Sequence, residues 1–530
     1  MTQKIIIFDS TLRDGAQAEG ISFSVKDKIK IVEALDRLGV DYIEAGNPGS
    51  NPKDLEFFEK MKHTSLQHSK LTAFGSTRRR DSSVHEDKNV QSLLQAETSA
   101  VAIFGKSWDF HVTNIIHATL EENLDMIRET IAFFKEKGKE VIFDAEHFFD
   151  GYKANPEYAL LALQAAVDGG ADCLVLCETN GGAFPSEVYE ITKKVVETFS
   201  VPIGIHAHND GGMAVANSIM AVEAGAIHVQ GTYIGFGERC GNANLSTIIP
   251  NLQLKQGLFC IPEEQMTKVT STARYIAEVA NIHLDDKEPY VGRSAFTHKA
   301  GMHIDGVNKA SHSFEHVHPN SVGNERRLLM SEVAGRSTIL SKIQKISPTV
   351  TKEDPVVQEI MDRVKELEHQ GYQFEGAEST FELIVRKQLG KYKPFFEIEY
   401  FKTIGEHPAQ NSEFGSSAMI KINVDGQEEI SAAEGDGPVN ALDKALRRAL
   451  EVFYPELKEI YLTDYKVRVL DTKAATAAKV RVLIESSDGH DFWTTVGVST
   501  DIIEASLTAL VDSIEYKLLK NIERKIQVYL

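Results

Sequence analysis

The chain has 530 residues, 42% hydrophobic and 25% charged, with a formal net charge of -20. That length exceeds one ordinary core and predicts roughly two to four domains of a globular protein, while the acidic balance argues against a nucleic-acid or anionic-membrane surface. The four cysteines, Cys173, Cys177, Cys240 and Cys260, form no CxxC pair, which argues for a reducing cytoplasm, and neither a signal-peptide h-region nor an apolar run of about 20 residues is present.

From Lys4 to about Leu254, short apolar runs alternate with amphipathic helical patterns. Strands are predicted over Lys4 to Phe8, Tyr42 to Ala45, Leu71 to Phe74, Ala100 to Phe104, Glu140 to Phe143, Cys173 to Cys177, Ile203 to His206 and Ile227 to Tyr233. Helices such as Val25 to Leu38, with Ile29, Val32 and Leu35 near helical spacing, and Leu120 to Phe134 lie between them. Eight such units predict an α/β fold of the TIM (β/α)8 barrel type over residues 1–255, with a doubly wound sheet as the alternative. Even spacing of Cys173 and Cys177 in an apolar run places both in the core.

A barrel puts its chemistry where strands end. The residues at those ends are Arg13 and Asp14, Glu44, the run Arg78 to Arg80, Ser107 and His111, Asp144 and Glu146, Glu178 and Thr179, His206 and His208, and finally Glu238, Arg239 and Asn242. Residues 256–390 read as a linker with helical subdomains contributing to the active site. Glu264 to Val279 and Pro355 to Gln370 are predicted helices, and Tyr290 to Lys309 is predicted to be a polar loop. Residues 391–530 read as a duplicated α+β regulatory and dimerisation domain. Strands with a turn at Asp425-Gly426 lead to a helix from Pro438 to Phe453, and strands with a turn at Asp488-Gly489 lead to a helix from about Asp501 to Leu519. Gly435, Asp436, Gly437 and Pro438 form a helix start that can receive a carboxylate, hence a candidate effector site.

His206 and His208 lie at i, i+2 on an extended segment and point to one side. With Asp14 and Asn242 they offer an O, N, N, O set suited to a divalent cation such as Mg, Mn or Zn with open positions; Cys240 is read as a neighbour. Such a site with Arg13 beside it is suited to polarising a 2-oxo acid, with Glu44 among the substrate-facing groups. The attacking carbon needs a base, for which Glu146 and His303 are the candidates and Asp305 a candidate orienter of His303.

The stretches DSTLRDGAQ, IHAHND and GERCGNAN resemble those of the DRE-TIM metallolyase superfamily. KAGMHIDG and EGDGPVNALDKAL look like its 2-isopropylmalate synthase and citramalate synthase branch, and FGSTRRRD and DAEHFFDGYK look most like the citramalate synthase group. The resemblance spans nearly the whole chain. It implies a Claisen-type condensation of acetyl-CoA with a 2-oxo acid, here pyruvate, followed by thioester hydrolysis. It also implies a metal on Asp14, His206, His208 and Asn242, the 2-oxo acid on Arg13, His111 and Thr179, and Glu146 near the reacting carbons. His303 matches a histidine that relatives supply from a partner subunit, which implies a homodimer, and isoleucine is the implied feedback inhibitor. The pattern departs at Ala16, where relatives often carry Glu, and at Asp144, where a small hydroxyl is usual. The competing readings are 2-isopropylmalate or homocitrate synthesis, a retro-aldol lyase, and a non-catalytic amino-acid-sensing barrel.

Overall fold

A computed structural model describes residues 3–299, 301–329, 336–406, 415–470, 477–489 and 491–529. The chain forms two compact units, Met1–Thr297 with Glu315–Arg327, and His298–Phe314 with Leu328–Leu530. Among the described residues no helix is long and apolar enough to cross a membrane.

The first unit is built on eight parallel strands: β1 Ile6–Asp9, β2 Tyr42–Glu44, β3 Lys70–Ser76, β4 Ala100–Lys106, β5 Glu140–Glu146, β6 Cys173–Glu178, β7 Ile203–Ala207 and β8 His228–Gly231. They pair in chain order, and β8 closes on β1 with Phe8 opposite Gln230. Closure leaves the barrel no edge strand, so the doubly wound alternative is set aside. Inside, Phe8, Tyr42, Ala102, Ile142, Val175 and the thiol-bearing Cys173 and Cys177 make an apolar plug. Burial raises both thiols well above their ordinary range, as expected of core cysteines. A larger cluster fills the layer between strands and helices.

Local chemistry sets the helices in place. Ser24 and Asp27 form a capping box at the start of Val25–Leu38, and Gly39 ends that helix at φ 91°, the left-handed turn that glycine adopts without strain. On the same helix Lys28 is buried and donates to Asp54 at 2.5 Å and to the Ala45 carbonyl at 2.7 Å, tying helix to rim.

Six strands run past their predicted C-terminal ends, and the extensions of β4 and β5 matter for the rim. β4 reaches Lys106 and β5 reaches Glu146, with Phe104 opposite Asp144 and Lys106 opposite Glu146. After β8 the chain folds back along its own strand. Thr232 N donates to the Ala243 carbonyl, Ala243 N to that of Ala207, and Asn209 N to that of Gly241, which brings Asn242 opposite His208. Several points of this return require glycine, Gly231 and Gly237 among them. A Cβ on Gly231 would stand 2.3 Å from the Ala243 carbonyl oxygen, and one on Gly237, at φ 155°, would stand 1.9 Å from Asn242 Oδ1.

In the second unit, Gly301–Lys309 is a helix, which corrects the loop expected over Tyr290 to Lys309. The bare Cα of Gly306 serves packing here: a Cβ there would lie 2.3 Å from the Phe314 ring. Helices Pro355–Gln370 and Glu378–Gln388 share a core containing Ile343, Ile360, Val364, Phe374 and Phe381. The duplication is real. Glu397–Glu406, Gly415–Val424 and Gln427–Gly435 form one antiparallel sheet followed by helix Pro438–Glu451, and Tyr461–Val469, Val480–Ser487 and Phe492–Ser499 form another followed by helix Ile502–Tyr529. Each sheet slips register once near the start of its first strand, between Ile398 and Tyr400 and between Leu462 and Asp464.

Because Gly231 admits the backbone that carries Asn242, Gly231→Ala is expected to destabilise the protein by about 1–3 kcal/mol, the usual cost of overpacking. Thermal unfolding checks this, and an unchanged Tm would show that the loop yields freely.

Candidate active site

At the open end of the barrel the chain buries a carboxylate among cations and imidazoles. Asp14 Oδ2 lies 3.1 Å from His206 Nε2, 3.9 Å from His208 Nε2 and 3.5 Å from Arg13 Nη1, and it accepts a hydrogen bond from Asn242 Nδ2 at 2.9 Å. Burial alone would raise Asp14, but the Arg13 charge and the His206 hydrogen bond hold it well below the ordinary carboxylate range. His206 resists the downward pull of its own burial and is raised by the same hydrogen bond and charge of Asp14. His208, further from Asp14, is pushed down to about 4 by burial and by His206. It is therefore neutral near pH 7 and has a lone pair to give.

One ligand atom each from Asp14, His206 and His208 falls within 4.8 Å of the others, and all three residues are buried. The donor set fits a divalent cation. Among the described residues, His208 Nδ1 and Asn242 Oδ1 are buried without a hydrogen-bond partner, and Asn242 Nδ2 approaches both Asp14 Oδ2 and, at 3.2 Å, His206 Nε2. The amide nitrogen thus occupies the side on which a cation would be held, and rotating the amide by half a turn would offer Oδ1 as a fourth ligand. Cys240 is exposed and stands outside this cluster.

Arg13 is aimed rather than mobile. Its Nε donates to Glu44 at 2.6 Å, and its guanidinium lies 3.7 Å from the centre of the Phe74 ring. Burial opposes its charge, yet Glu44 and Asp14 raise its pKa. Glu44 also accepts from Ser10 Oγ, so its observed contacts are to Arg13 and Ser10, while its Oε1 is buried and has no partner among the described residues.

On the opposite rim Glu146 pairs with Lys106. His111 packs on Trp108 at 4.8 Å and meets His147 edge-on at 4.4 Å, and burial, then the neighbouring His147, lowers its pKa. Thr179 Oγ1 accepts from His147 N at 3.0 Å, and its carbonyl accepts from Arg239, which also grips Asp210 at 2.7 Å and 3.0 Å. The run Arg78 to Arg80 is tied down locally, Arg78 to Glu129 at 2.6 Å and Arg80 to the His117 carbonyl.

The barrel therefore brings together Arg13, Asp14, Glu44, His206, His208 and Asn242, with Glu146, His111 and Thr179 on its rim. His303 belongs to the second unit, where it is exposed and stacks on Phe314 at 4.5 Å. Asp305 pairs with Lys309 at 2.6 Å, which corrects its expected role as orienter of His303. Gly435, Asp436, Gly437 and Pro438 also lie in the second unit, at a helix start without a side-chain cap. Sequence reasoning missed Lys106, His147 and Gln230. The signal for Gln230 was available, since His228 and Gln230 alternate on the inward face of an otherwise apolar strand.

The HMGL-like family profile matches residues 4–276, a Homocitrate synthase post-HMGL domain-like profile matches residues 290–372, and a LeuA allosteric (dimerisation) domain profile matches residues 375–518. The chain is similar to the (R)-citramalate synthase of Aquifex aeolicus, 53% identical over 99% of this chain and 100% of the relative. It is similar to that of Geobacter sulfurreducens, 50% identical over 98% of each. A probable 2-isopropylmalate synthase of Methanopyrus kandleri is 32% identical over 96% of this chain and 98% of the relative.

Isothermal titration of the metal-free chain with Mn²⁺ is expected to show one site, and His208→Ala to weaken it at least about tenfold by removing a ligand. Equal binding by that variant would place the cation elsewhere.

Proposed function

We infer the activity of this chain from its family: it belongs to the HMGL-like family, in the group of the (R)-citramalate synthases, and it condenses acetyl-CoA with pyruvate and water to give (R)-citramalate and CoA. The observation that carries the reading is the buried Asp14, His206 and His208 set with Arg13 beside it, in a chain that aligns end to end with citramalate synthases. The greater distance from a probable 2-isopropylmalate synthase favours pyruvate over 2-oxoisovalerate.

In this reading Asp14, His206, His208 and Asn242 hold a divalent cation of the Mg, Mn or Zn kind, which when bound supplies a Lewis acid to the keto and carboxylate oxygens of the 2-oxo acid. Arg13, held by Glu44, places a fixed positive charge on the keto oxygen as it becomes an alkoxide. Thr179 accepts from the His147 amide and so keeps its own hydroxyl hydrogen free to donate to the substrate carboxylate, with His111 as the second donor. The acetyl methyl loses a proton to a base, its carbon bonds to the keto carbon, and the alkoxide is protonated. Water then cleaves the thioester and releases the CoA thiol. Glu146 is placed at the rim for the first proton, and His303, if supplied by a second copy, is the other candidate.

The LeuA-like segment supports a homodimer whose duplicated domain binds a small effector. Isoleucine fits an enzyme early in its own synthesis, and the helix start at Gly435 to Pro438 presents backbone N–H groups that would take its carboxylate. Four free cysteines accord with a cytoplasmic setting.

Thiol release from acetyl-CoA, followed with pyruvate, 2-oxoisovalerate, 2-oxobutyrate and 2-oxoglutarate, is expected to be fastest with pyruvate and to stop on chelation. Turnover mainly with 2-oxoisovalerate would overturn the substrate assignment. Glu146→Gln is expected to lower kcat by about 10²–10⁴-fold, the range for loss of a general base, with Mn²⁺ binding retained; a kcat within threefold of wild type would assign the proton to another group.

A further inference from the structure

Above the apolar plug a polar contact crosses the barrel interior. Gln230 on β8 donates from Nε2 to Asp144 Oδ1 on β5 at 2.9 Å, and its Oε1 meets His206 Nδ1 on β7 at 2.9 Å. β5 and β8 are not neighbours in the barrel, so the Asp144 to Gln230 bond spans the interior, whereas Gln230 and His206 face each other in register. All three side chains are buried, Asp144 at 3% exposure and Gln230 at 0%.

We propose that Asp144 is a positioning residue for the cation centre, acting through the Gln230 amide to set the tautomer and ring orientation of His206. Asp144 Oδ1 accepts from the Gln230 NH₂, and this contact turns the NH₂ toward β5 and the carbonyl toward β7. A carbonyl in turn obliges His206 to carry a hydrogen on Nδ1. Nε2, the nitrogen 3.1 Å from Asp14, then holds the hydrogen that faces Asp14, and it is the one a bound cation would displace. Without Asp144 the amide is free to reverse, its NH₂ would face Nδ1, and the ring would keep its hydrogen on Nε2 alone, against Asp14, which blocks the ligand. Partners of this kind behind metal-bound histidines govern affinity by about 10–100-fold. The placement also accounts for an acid that, among the described residues, has no ion-pair partner.

This inference rests on the cation site described above, and the test separates the two. Metal-free full-length chain, ¹⁵N-labelled at histidine, is read for the His206 tautomer by NMR and titrated with Mn²⁺ by calorimetry. Wild type is expected to show hydrogen on Nδ1. Asp144→Leu is expected to shift His206 toward the Nε2–H form and to weaken Mn²⁺ binding about 10–100-fold. Asp144→Asn keeps an accepting carbonyl and is expected to stay within about threefold of wild type. Gln230→Met is a second route to the same loss, and a double Asp144→Leu, Gln230→Met variant is expected to bind no worse than either single change, because both break one chain of contacts. Additive losses in the double variant would overturn the proposal. So would Asp144→Leu with wild-type tautomer and affinity, or with only the KM for pyruvate changed. Failure of wild type itself to bind Mn²⁺ would overturn the cation site instead.

Discussion

The site depends on keeping one carboxylate buried and charged. Taking Asp14 out of water costs free energy unless compensating charge and hydrogen bonds surround it, and the chain draws that compensation from the loop after β1, from β7 and from the loop that returns after β8. The same carboxylate differentiates two histidines only two residues apart. His206, in hydrogen-bond contact, is raised, and His208, 3.9 Å away, is lowered. The end of β7 and the residue just beyond it thereby present a raised and a lowered imidazole side by side.

Around that point the barrel works as a layered support. Apolar side chains with two thiols close the lower interior, and the polar layer of Asp144, Gln230 and His206 lies above it. Arg13 shows how specifically the upper layer is organised, since an acid on one side and an aromatic face on the other leave its guanidinium a single direction. Across the mouth Lys106 restrains Glu146 at the adjoining ends of β4 and β5. The extra strand residues there carry chemistry as well as hydrogen bonds.

Much of the fold was legible because its signals are local. Eight apolar runs separated by amphipathic helices predict a barrel, and the periodicity of Val357, Ile360, Val364 and Leu367 matches the buried face of Pro355–Gln370. The grouping of Arg13, Asp14, His206, His208 and Asn242 followed from strand ends alone. What escaped depends on contacts between distant residues. Lys106 was outside the predicted strand because Gly105 weakens its pattern, and it takes its place only through pairing with β5. The helix Gly301–Lys309 read as part of a polar loop, since the packing of Gly306 against Phe314 is not deducible from spacing. Asp305 is one turn from Lys309 on the same helix and is drawn to it, which no reading of its nearness to His303 would show.

The repeated domain adds a further point. Its halves keep the same register slip but begin their helices differently: Gly437 offers no side-chain cap, whereas Asp501 directs its carboxylate at Ile503 N at 2.8 Å. In the language of symmetry the repeat is broken at this corner, because one copy fills with its own side chain the position that the other leaves to backbone alone. Equivalent substitutions in the halves thus have unequal consequences. Removing Asp501 strips a helix of its cap, while adding a side chain at Gly437 changes what the opposite copy presents outward, so the two corners are free to evolve under separate constraints.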